Sequence, residues 1–97
     1  MPTIVIEHAV QNFDVWKRAF DQDPLHRARN GVRRHRILRT SADPARVIVL
    51  HEFESLSEAE TYLELLRGMW GGVGGVIGVG PEGIQAQVFD EVENTTY

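Results

Sequence analysis

The chain has no cysteine. That excludes disulfides, thiolate metal ligands and cysteine nucleophiles together, and it fits a cytoplasmic protein. Lysine is nearly absent as well: Lys17 is the only one, and no glycine-rich phosphate loop surrounds it. No apolar run reaches the ~18 residues that would suggest a membrane span. The start, Met1-Pro2-Thr3-Ile4, lacks the basic and apolar regions of a secretory signal, so none is expected. A positive balance of charge is also missing. With neutral histidines the formal charge is −4, which gives no general pull toward nucleic acid or anionic lipid.

What remains suits one globular domain over residues 1–97. The hydrophobic fraction of 42% and charged fraction of 25% argue against disorder. A chain this short buries only ~60–65% of its unfolded surface, so a partner subunit often completes the core.

Thr3 to Val10 alternates and is rich in β-branched residues, which predicts a strand. Asn12 is a good helix cap, and Phe13, Trp16 and Phe20 then share one helical face. That helix must stop before Pro24, with Leu25 to Arg29 offering a further turn. Val32 to Thr40 predicts a second, highly charged strand, and Ser41 to Ala45 a tight reversal. Arg46 to Glu54 is the clearest strand. Either Ser57 with Glu60 or Ser55 with Glu58 caps a second helix, whose stripe is Leu56, Ala59, Leu63 and Leu66, with Tyr62 beside it. Gly68 to Gly80 contains seven glycines and is expected to be a flexible loop or flap. Gly83 to Glu93 predicts the last strand.

The order is βαββαβ, and the halves echo each other. His8 lies four residues before Asn12, and His51 lies four before Ser55. This predicts an α+β fold of split βαβ type: a four-stranded antiparallel sheet with two helices on one face. The first and third strands are expected to be parallel central neighbours. Alternation puts Ile4, Ile6, His8 and Val10 with Val47, Val49, His51 and Phe53 under the helices. The opposite face carries Val5, Ala9, Ile48, Leu50 and Phe89 among Glu7, Glu52, Gln85 and Gln87. Two helices cover one face only, so a homodimer packed through the second face is expected.

Ile6-Glu7-His8, Phe13-Asp14-Val15-Trp16-Lys17, Gly31-Val32 and Phe53-Glu54-Ser55 with Ala59 resemble the ferredoxin-like dimeric α/β-barrel superfamily. Within it, the small antibiotic-biosynthesis-monooxygenase-like proteins are the nearest branch. The resemblance implies face-to-face sheets in a dimer and a ligand cleft between each sheet and its helices. Some members oxygenate aromatic polyketides without metal or flavin, and others degrade haem. Haem degradation requires an iron-ligating histidine after the second helix, and no histidine follows His51 here. The expectation is therefore a cofactor-free, monooxygenase-like enzyme acting on an aromatic or polyketide-like compound. The alternative is a non-catalytic ligand-binding or structural dimer.

His8 and His51 occupy matched positions on strands about 4.8 Å apart, so their side chains are expected to meet. His35 pairs with His51 across the hairpin unless the register slips by one. The histidines suit proton transfer near neutrality. A three-histidine metal site and a hydrogen-bonded core pair stay open beside that reading. Catalytic candidates are thus His8, His51 and Tyr62. Ligand-binding candidates are Trp16, Phe20, His35 and Trp70, and no metal or cofactor is expected.

Two other signals fail on context. The arginines from Arg27 to Arg39 suggest RNA, and βαββαβ is also the order of RNA-recognition domains. The third strand reads Arg46-Val47-Ile48-Val49-Leu50-His51, without the stacking aromatics such domains need. A charged edge strand that resists aggregation explains the arginines better. Gly78-Val79-Gly80-Pro81-Glu82-Gly83 matches a dinucleotide fingerprint, but a strand follows it instead of the helix that would hold a phosphate.

Overall fold

The computed structural model describes residues 1–71 and 83–97. Its elements are β1 (Thr3–Ala9), α1 (Phe13–Asp21), β2 (Arg34–Arg39), β3 (Arg46–Glu52), α2 (Leu56–Trp70) and β4 (Gln85–Phe89). The strands form one sheet ordered β2-β3-β1-β4, with each neighbouring pair antiparallel. This is the ferredoxin-like α+β fold.

The expected parallel pairing of β1 with β3 is wrong. The α1 crossover makes β2 run parallel to β1, and the hairpin then turns β3 back against β2. Since β3 sits between those two strands, it is antiparallel to both. Ile4 stands opposite His51, and Val47 stands opposite His8. The β2–β3 hairpin holds the unslipped register, with His35 opposite His51.

Period-two alternation decides which side chains enter the core. In β1 and β3 every second residue is buried. Ile4, Ile6, Val47, Val49 and Phe53 pack against Trp16 from α1 and Ala59, Tyr62, Leu63 and Leu66 from α2. Phe53 is fully buried, which contributes roughly 1.5–3 kcal/mol. The opposite face leaves Val5, Ile48 and Leu50 half-buried and Leu38 and Phe89 exposed.

Local signals set the helix starts. The Asn12 side chain accepts a hydrogen bond from the Val15 amide, capping α1. Ser55, the alternative choice, caps α2: its hydroxyl oxygen accepts from the Glu58 amide and donates to the Glu58 carboxylate. Tyr62 belongs to the buried stripe of α2, whereas Leu56 is exposed. The second helix also runs on through Gly68 to Trp70, because one glycine costs only ~1 kcal/mol inside a helix otherwise anchored by its buried face. The Gly72 to Gly80 part of the expected flap lies outside the described residues.

Two further boundaries differ from expectation. Leu25 to Arg29 forms turns, not helix. Asp23 takes φ 52° and His26 φ 54°, left-handed values that break helical geometry on both sides of Pro24. The last strand is shorter than predicted, ending at Phe89.

Candidate functional site

A cavity of about 350 Å³ lies between the sheet and the helices. Its floor is Ile6 and His8 of β1 with Val49 and His51 of β3. One wall is Trp16, Ala19 and Phe20 of α1, and the other is Tyr62, Leu66, Met69 and Trp70 of α2. The turns from Gln22 to Arg27 and the start of the last strand at Ile84 complete the lining. The chamber is predominantly apolar, with a few polar groups, as small-molecule sites usually are.

His8 and His51 both line this cavity and share the helix-covered face, but they do not meet. Four residues of strand separate His8 from the residue opposite His51, about 13 Å along the ladder. The physical reason is the pseudo-twofold itself. Matched positions on antiparallel central strands fall at opposite ends of the sheet. Aromatic rings bridge the gap: His8 meets Trp16 edge-on at 5.4 Å, Trp16 meets Phe20 at 5.3 Å, and Phe20 meets His51 at 6.2 Å. Tyr62 lies 5.6 Å from His51, ring centre to ring centre.

Of the other candidates, Trp16, Phe20 and Trp70 line the cavity. His35 does not, and it is exposed on β2. Its ring sits 6.3 Å from His51 and packs edge-on against Phe20, so it stands behind the wall. No group of three or more His, Asp or Glu residues has metal-binding geometry among the described residues, so the three-histidine cluster does not assemble.

The two histidines differ in their partners. The His8 Nδ1 lies 3.0 Å from the Ala9 carbonyl. A carbonyl only accepts, so Nδ1 carries the proton and Nε2 keeps its lone pair. His51 is 2% exposed, and neither of its ring nitrogens has a partner among the described residues. Burial is the main cause lowering its pKa to about 4, helped by the positive Arg27 and by His35. Burial likewise lowers the pKa of His8, partly countered by the Ala9 hydrogen bond, and it pushes Tyr62 up to about 12. Near neutral pH the cavity therefore presents neutral imidazoles and a protonated phenol.

The charged stretch between α1 and β2 contributes what the sequence reading missed. Asp23 and Arg27 both line the cavity. Arg27 was grouped with an arginine run, but that run is not one surface. Arg34 pairs with Glu52 and Arg33 with Glu54, while Arg39 covers Phe13 and Arg27 covers Phe20. The signal available in the sequence was Pro24, which ends the helix early enough to turn Arg27 back over the α1 wall.

No family model matches the chain, and no curated protein matches it. Among solved structures, a protein described as "Putative antibiotic biosynthesis monooxygenase from Nitrosomonas europaea" superposes with a TM-score of 0.66. The identity is 16%, over 98% of this chain and 93% of that one. Together with the strand order and the helix-covered face, this likeness shows that the chain has the ferredoxin-like fold.

Proposed function

We propose that the protein is a homodimer with one small-molecule cavity per subunit, and that the cavity oxygenates an aromatic, polyketide-like compound without a cofactor. His51 carries this reading. A buried imidazole in an apolar wall whose two nitrogens have no partner among the described residues is costly, by roughly 1–3 kcal/mol per unsatisfied group. A ligand that hydrogen-bonds or transfers a proton there removes that cost.

The reaction suited to such a wall begins at a CH2 group made acidic by flanking rings and a carbonyl. His51 accepts one proton and leaves a delocalised carbanion. The carbanion passes an electron to dioxygen, and the two radicals combine into a carbon-bound peroxide. The imidazolium returns its proton to that peroxide, and the hydroperoxide loses water to give a carbonyl. One CH2 and one O2 become one C=O and one water, so the four electrons lost by carbon are gained by oxygen. Holding His51 near a pKa of 4 penalises its protonation by about 3 kcal/mol. A carbanion about 5 Å away returns about 3 kcal/mol at an effective dielectric of ~20. The two effects offset, so proton transfer becomes feasible only with the substrate in place.

The second sheet face supports the dimer. Val5, Ile48, Leu50, Leu38 and Phe89 form an apolar field; of the charges within it, Arg34 pairs with Glu52 and Arg46 with Glu7, while Arg36 stands beside Leu50. The pairing of Arg33 with Glu54 and of Arg34 with Glu52, and the place of Arg27 in the cavity lining, speak against a nucleic-acid partner. No helix among the described residues is long and apolar enough to cross a membrane, and the cysteine-free composition supports a cytoplasmic setting.

A non-catalytic binding dimer is the second reading. The weak basicity of His51 favours it, since such an imidazole makes hydrogen bonds without taking a proton. Anthrone under 18O2 separates the two. Catalysis gives oxygen uptake above the buffer rate and label in the new carbonyl, with His51→Asn at least ~100-fold slower. A rate equal to buffer alone, with anthrone bound, establishes the binding module instead.

A further inference from the structure

We infer that the cavity selects aromatic compounds whose phenolic or enolic oxygen is held as an oxyanion by Arg27. This rests on the proton-transfer site proposed above and names what lies at the other end of the same ligand.

The titratable groups facing the cavity are few. The sheet supplies His8 and His51, and α2 supplies Tyr62. The α1 wall supplies none, and the turns after it supply Asp23 and Arg27. Both lining histidines have lowered pKa values and Tyr62 keeps its proton, so Arg27 is the one fixed cation in the described lining.

Arg27 is held rigidly, and its ion pair with Asp23 leaves donors unused. Its guanidinium lies 3.9 Å above the Phe20 ring, and Nη1 donates to the Phe20 carbonyl at 3.1 Å. The side chain is only 15% exposed. Its acid partner is Asp23, yet Nε is 3.6 Å from Asp23 Oδ1, too long for a strong hydrogen bond. That same oxygen is already used, since it accepts from the Arg27 backbone amide at 2.8 Å. A largely desolvated guanidinium with spare donors is a ready receiver for an anionic oxygen.

Its charge also acts where the chemistry is placed. Arg27 opposes protonation of His51 and favours ionisation of Tyr62, and Asp23 does the reverse to both. A ligand lying between these groups feels the same field. Removal of a proton from a ring carbon or hydroxyl leaves negative charge that conjugation delivers to oxygen. With that oxygen at Arg27, the proton goes to His51 or to solvent and the charge is met by the guanidinium.

The test uses 4-nitro-1-naphthol, whose neutral and ionised forms differ in colour, titrated with the intact protein at several pH values. Binding to wild type is expected to shift ionisation to at least tenfold higher proton concentration. Arg27→Met should abolish or reverse that shift, because only the burial penalty remains. Asp23→Asn keeps an oxygen for the Arg27 amide but removes the competing charge, so it should enlarge the shift. Equal bound ionisation in wild type and Arg27→Met overturns the inference. If Arg27→Met does not fold, equality of wild type, Arg27→Lys and Asp23→Asn overturns it equally. Failure of millimolar probe to enter wild type removes both this inference and the cavity function. An intact Arg27-dependent shift without oxygen uptake removes only the oxygenation.

Discussion

His51 and Tyr62 face each other at the cavity wall, ring centres 5.6 Å apart, and burial moves their pKa values in opposite directions. The imidazole loses its proton more easily and the phenol keeps its proton longer. Both changes favour the neutral form, as an apolar chamber requires.

A stability profile follows from His51. Its folded pKa of about 4 lies below the ordinary 6.5, so the unfolded chain binds the proton more readily. The contribution is fully present above pH 6.5 and is lost as pH falls toward 4. Urea unfolding across that window should show about 3 kcal/mol lost through this residue. His51→Leu should remove that share of the slope, leaving what His8, His35 and Glu52 contribute. A variant slope equal to wild type would place the proton-linked loss elsewhere.

The same substitution should separate stability from binding. Leucine fills similar space without the two ring nitrogens that have no partner among the described residues. Ligand-free His51→Leu is expected to be more stable at pH 7 by about 1–3 kcal/mol. In a domain this small, each kcal/mol corresponds to about 4–8 °C in melting temperature. Binding of 4-nitro-1-naphthol should weaken about tenfold. A lower melting temperature with unchanged binding would show His51 to be a core residue.

The open face makes a different prediction. Leu50 lies in its centre, opposite Val5 on one side and Arg36 on the other. Leu50→Glu would bury a carboxylate in the proposed interface, so the variant should sediment as a monomer or aggregate. Wild type should sediment as a dimer at micromolar concentration. A stable wild-type monomer there would end the sheet-face assembly.

The elements were legible because their signals are local. Asn12 and Ser55 cap helices by reaching three residues ahead, and alternation in β1 and β3 needs only neighbouring side chains. The register of His35 with His51 followed from one short turn. The relation of His8 to His51 was misread because it depends on strand direction, which the crossover through α1 determines and no local pattern records. Arg27 was missed for a related reason. Its role depends on left-handed backbone at Asp23 and His26, residue types that favour that conformation among non-glycines yet adopt it in only a small share of positions.

Gly31 offers a sharper test of how the charged wall joins the helices. It ends the turns that carry Asp23 and Arg27, at φ +97°, where a side chain is strained. A Cβ there would lie 2.7 Å from Oε2 of Glu58. Glu58 can swing away, but its other oxygen accepts the Ser55 hydroxyl that helps start α2. Gly31→Ala therefore carries a backbone cost of about 1–2 kcal/mol and a capping cost of about 0.5–1 kcal/mol. A double-mutant cycle with Glu58→Ala separates them. With Glu58 removed the clash is gone, so Gly31→Ala should cost less there than in wild type. A coupling of about 0.5–1 kcal/mol is expected between residues in such contact. Strict additivity in urea unfolding would mean that Glu58 yields freely and that the wall and the second helix are not mechanically joined at this point.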